Sequence, residues 1–110
     1  MSTMNKISPN ITPEISEQLN RYYHTELLNN LKPIHRLDIS KPGNLLTAKQ
    51  SLASIKSLYE SLMLDKEAGL ILRRHTIKLI KEFDQVIAFL EQTIRDQEFE
   101  DAMTALDEII

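Results

Sequence analysis

Arg73, Arg74, Lys78 and Lys81, with His75 among them and no acid from Leu70 to Lys81, form the densest chemistry-bearing group in the chain. Arg74, Lys78 and Lys81 are spaced i, i+4, i+7, which aligns them as one stripe of a helix. A cationic stripe of this kind can dock an acidic helix of a partner protein, or phosphate groups. It can also stand solvated, partly neutralised by Glu67, Glu82 and the acidic C-terminal stretch. No aromatic residues interleave with it for base stacking, which weighs against nucleic acid. A second candidate contact lies at Tyr22, Tyr23 and Leu27. Adjacent helical residues point about 100° apart, so the two tyrosines cannot both face a core. One of them is expected at an edge or interface, where tyrosine is favoured among binding hot spots.

Other chemistry finds less support. His24, His35 and His75 lie on separate segments, and none belongs to the H-E-x-x-H or E-x-x-H spacing that puts ligands on one helix face. The absence of cysteine excludes a thiolate zinc site, a cysteine nucleophile and a disulfide framework together. Gly43 and Gly69 are the only glycines, too few for a loop that cradles phosphates. Serines and carboxylates are plentiful, but no local pattern unites a nucleophile, a base and an orienting group. The expectation is a protein that is not an enzyme and uses no metal or cofactor.

The elements that must position these residues are helices. Thr12-Pro13-Glu14 combines an N-cap, proline at the first helical position and an acid facing the positive end of the helix. Ile15, Leu19, Tyr22, Tyr23, Leu27, Leu28 and Leu31 then mark one face, and Pro33 disfavours helix at Lys32. A connector with Ile34, Leu37 and Ile39 leads to the turn Lys41-Pro42-Gly43-Asn44. The stripe Leu45, Ala48, Leu52, Ile55, Tyr59, Leu62 predicts a second helix. Leu72, Thr76, Leu79, Phe83, Val86, Leu90 and Ile94 predict a long third one over about Lys66 to Gln97. Asp65 is its expected cap; the alternative is that helices two and three run on through Gly69. Asp96 is expected to re-cap the chain, so that a short fourth helix bearing Phe99, Ala102, Met103, Leu106 and Ile110 folds back. At 1.5 Å per residue the second helix, about 30 Å, cannot cover the third, about 45 Å. The second and fourth helices are therefore expected to divide it.

With 110 residues the chain suits one domain, read as a flexible N-terminal arm over 1–11 and a single helical-bundle domain over 12–110. No segment approaches the ~20 apolar residues of a membrane span, and no run of signal-peptide length opens the chain, so a cytoplasmic location without membrane contact is expected. The net charge is −3, and it is unevenly placed: Asp96, Glu98, Glu100, Asp101, Asp107 and Glu108 stand together with no basic residue after Arg95. The fold class expected is all-α, an elongated antiparallel bundle of three main helices plus a short C-terminal one. The function expected is a non-enzymatic protein-binding module, an adaptor, chaperone or inhibitor. The alternative is a nucleic-acid-binding regulator using the basic stripe. Homodimerisation is expected, because elongated small bundles often leave an apolar seam.

Overall fold

The computed structural model describes residues 12–109, which form three helices: α1 (Pro13–Leu31), α2 (Asn44–Glu67) and α3 (Arg73–Ile109). Consecutive helices run antiparallel, so α1 and α3 are parallel, with Ser16 beside the start of α3 and Leu31 beside its middle. The fold is the expected all-α bundle, and it is elongated: 76 × 21 × 18 Å, with a radius of gyration of 19.1 Å, against about 13 Å for a compact 100-residue domain. The N-terminal arm lies outside the described residues.

Each boundary has a local cause. Thr12 is the N-cap of α1, its Oγ1 accepting from the Ile15 N–H at 3.2 Å, with Pro13 at the first position. After Leu31, Pro33 leaves room only for a single 3-10 turn, Lys32–Ile34. Asp38 then organises the connector. Its carboxylate accepts from the Ser40 N–H (3.1 Å) and Oγ (2.5 Å), and these bonds hold its pKa below the usual carboxylate range. Gly43, at φ +87°, supplies the left-handed residue that launches α2.

α2 ends in a Schellman motif. The Gly69 N–H donates to the Lys66 carbonyl and the Leu70 N–H to the Asp65 carbonyl, with Gly69 at φ +80°. Asp65 therefore belongs to the last turn of α2 and does not cap α3. Nor do the two helices run on through Gly69, because its φ lies outside helical geometry.

The core forms where the three apolar stripes meet. Tyr23 and Leu27 of α1, Ile55 and Leu62 of α2, and Leu79, Phe83 and Leu90 of α3 are buried together with Ile71. Tyr59 stacks on Phe83, ring centroids 5.6 Å apart. Thr76 is fully buried at its stripe position and returns its Oγ1 hydrogen to the Arg73 carbonyl at 2.9 Å, so its polar atom is satisfied within the helix.

The expected fourth helix is not separate. α3 continues unbroken through Asp96 to Ile109. Asp96 does not cap a new helix; its Oδ1 accepts from Gln92 Nε2 at 2.7 Å, and Gln97 repeats the pattern onto Asp101 at 2.9 Å. With no glycine or proline between Arg73 and Ile109, nothing breaks the ladder. α2 reaches further along α3 than its apolar stripe suggests: Lys56 pairs with Glu91 at 2.6 Å and Lys49 with Glu98 at 2.5 Å. Beyond Glu98 every described residue is exposed, so α2 and a folded-back helix do not divide α3. Lys49 pairs with Glu98, the first turn of α2 lies beside the turn that follows, and the end of α3 projects past it.

Candidate functional site

The basic stripe sits on the first three turns of α3, where α1 runs alongside. Between the two helices lies an open cleft of about 480 Å³, lined by Asn20, Arg21 and His24 of α1 and by Arg74, Lys78 and Glu82 of α3, among others. The cleft exists because α1 and α3 meet through small and polar side chains at this end. Ser16 of α1 is fully buried and makes two contacts at the start of α3: its Oγ accepts the N–H of Leu72, the residue before the helix, at 2.6 Å and lies 2.8 Å from His75 Nδ1. With the hydroxyl proton given to Nδ1, one serine satisfies a backbone donor at the start of α3 and an imidazole acceptor together. Ser16 thus caps another helix. Only the fold brings it there, fifty-six positions from Leu72 in sequence.

A serine against a histidine nitrogen is also the geometry of an activated nucleophile. Here the hydroxyl has no exposed surface through which a substrate could reach it, and its second partner is a helix amide. The pair joins helices.

Within the cleft the charges are unequal in number of partners. Arg21 pairs with Glu17 at 3.0 Å, and His24 Nε2 lies 3.9 Å from Glu82. Arg73, Arg74, Lys78 and Lys81 are all exposed, and none takes part in an ion pair among the described residues. α3 has no acid in its first turn and no base in its last. Asn20 adds a second unsatisfied group: its Oδ1 is buried without a hydrogen-bond partner among the described residues. An acceptor left in that state costs about 1–3 kcal/mol.

The second sequence candidate divides. Tyr22 is 54% exposed, whereas Tyr23 and Leu27 are 3% and 2% exposed and belong to the core. In this arrangement the latter two offer a partner no surface. The Tyr23 hydroxyl donates to Asp65 Oδ2 at the end of α2. Burial first, then that bond, push the Tyr23 pKa well above the ordinary phenol value. The rings of Tyr22 and Tyr23 meet edge to face at 5.2 Å, one outside and one inside, as their adjacency requires.

His24 and His75 come together at the cleft, while His35 lies at a separate apolar groove beside Leu31, Ile34, Val86, Phe89 and Leu90. Among the described residues, no three His, Asp or Glu side chains converge as metal ligands, and no helix is long and apolar enough to cross a membrane. No known family, curated protein or solved structure matches the chain.

Proposed function

We propose that this chain is a non-enzymatic protein-binding module, an adaptor, chaperone or inhibitor, that receives an acidic segment of its partner at the α1/α3 cleft. The observation that carries this reading is the exposure of Arg73, Arg74, Lys78 and Lys81 on one short stretch of helix, outside every ion pair of the described residues. An acidic segment lying along α3 would meet Arg74 and Lys78 as charge-assisted hydrogen bonds. The lack of cysteine fits a reducing compartment, and the module is taken as cytoplasmic.

The test is affinity capture from the native host with the intact chain and with R74E/K78E, followed by mass spectrometry. Both residues are exposed, so the variant should fold as the parent does. A partner bearing an acidic segment, retained by the parent and lost by the variant, is the expected result. The alternative is read in parallel by titrating labelled DNA and RNA. Tight binding that weakens steeply with salt and disappears in R74E/K78E would replace the protein partner with a nucleic acid.

A further inference from the structure

We propose that two copies of this chain associate through their C-terminal ends, the last three turns of each α3 lying in an apolar groove of the other copy. This is independent of the α1/α3 cleft and adds an interface to it. From Phe99 to Ile109 every residue is exposed, including Phe99 at 66% and Ile109 at 80%. At ~100° per residue, Phe99, Ala102, Met103, Leu106 and Ile109 share one side of the helix. That side is roughly opposite the one Leu79, Phe83 and Leu90 bury in the bundle. About 16 Å of amphipathic helix therefore projects with its apolar side bare. Contiguous exposed apolar surface marks a site of interaction.

The same chain carries a receptor for it. Leu31, Ile34, Val86, Phe89 and Leu90 line a groove of about 360 Å³ between the end of α1, the 3-10 turn and the middle of α3. Through Leu31 and His35 it continues into a second depression beside Leu28 and Lys32. Phe89 and Leu28 remain 68% and 47% exposed there. The rim carries the cation Lys32 beside His35; both are exposed and belong to no ion pair among the described residues. On the projecting helix, Glu100 and Asp107 stand one heptad apart along an edge of the apolar side. An acidic edge thus meets a basic rim.

Register and length agree with this pairing. The distance along α3 from Phe99 back to Phe89 is about 15 Å, the same as from Phe99 forward to Ile109. Two α3 helices crossing antiparallel near Gln97 bring Leu106 and Ile109 of each beside Val86 and Phe89 of the other. The occupant is a second copy and not the chain's own end, because α3 does not turn back. The Gln92–Asp96 and Gln97–Asp101 hydrogen bonds brace the helix across the place where a hinge would have to form. Two-fold symmetry makes the contact twice. That doubling matters, since one helix end with five apolar residues falls short of the ~1,200–2,000 Å² of a specific interface.

Sedimentation velocity over a concentration series tests the proposal, using the parent chain, F99D/L106D and F89D. All three side chains are largely exposed, so the bundle should survive, as circular dichroism will show. The expected result is a dimer for the parent and a monomer for each variant. A parent that stays monomeric at every concentration overturns the proposal. So does an F89D chain that still dimerises, which would mean that the projecting ends pair with each other. A V86C/L106C chain, otherwise free of cysteine, separates cis from trans: oxidation should link two chains, and a link within one chain would place the helix in its own groove and overturn the dimer.

Discussion

Ser16→Ala should destabilise this protein measurably, although it deletes a single atom. Removing the hydroxyl leaves the Leu72 N–H without an acceptor and His75 Nδ1 without its partner, at a site where Ser16 itself is fully buried. A buried donor left unsatisfied costs about 1–3 kcal/mol, and loss of a serine cap typically costs about 1 kcal/mol. These are two views of one bond, not additive terms. Leu72 and His75 are only half-buried, so water can replace part of what is lost. A value of about 2 kcal/mol follows from those ranges. For a domain near this size each kcal/mol moves the midpoint by about 4–8 °C, which gives a fall of roughly 10 °C in Tm. Thermal and urea unfolding followed by circular dichroism, at equal protein concentration, is the assay. Ser54→Ala, an exposed serine on α2, is the control and should change stability by less than about 0.5 kcal/mol. If Ser16→Ala is as mild as the control, Ser16 does not cap α3 and the account of how α1 and α3 meet is wrong. A double-mutant cycle with His75→Ala apportions the coupling between the two side chains.

Two further perturbations probe the fold. Burial raises the Tyr23 and Tyr59 pKa values, so both phenols stay protonated in the folded chain where the unfolded chain would ionise them. Stability from these groups is present below about pH 10, the unfolded value, and declines as pH rises above it. An absorbance titration of tyrosinate should show a fraction that ionises late in the folded state and at the ordinary value in denaturant. Gly69→Ala meets no atom within 4 Å, so its cost is conformational: a side chain at φ +80°. A loss of about 1 kcal/mol in urea unfolding is expected; a neutral result would mean that the α2–α3 turn is not left-handed.

The bundle was legible in the chain because its signals are local. Thr12-Pro13 needs only its own neighbours to start α1, and the stripe from Leu72 to Ile94 needs only its own period. Thr76 was found at a core position by spacing alone, against its polarity. Two things required the fold. Ser16 looks like any serine in sequence, and its role depends on Leu72 and His75 arriving from the far end of the chain. The end of α3 failed for a different reason. Between Ile94 and Phe99 the apolar pattern shifts to the opposite side of the helix. A turn at Asp96 explains that shift if one face must stay covered, and an uninterrupted helix explains it if the second face serves something else. Composition favours the helix, since Gln97, Glu98, Ala102 and Met103 are all good helix formers. Among the site candidates, the charge of the four cations suits a solvated helix face, and the adjacency of Tyr22 and Tyr23 requires one ring outside without saying which. Tyr23 and Leu27 are buried where α1 meets both α2 and α3, and no local pattern discloses how those helices register against it.

The charge at the two ends of α3 makes the whole molecule an electric dipole. A helix is partially positive at its start and negative at its finish, by about half a unit charge each. α3 places Arg73 and Arg74 at the start, with no acid in the first turn, and Asp107 and Glu108 near the finish, with no base in the last. Side chains and backbone therefore add where in most helices they offset, over a rod about 55 Å long. Such a rod turns in the field of an approaching charged body before any contact forms. Partners of either sign would meet a preferred end.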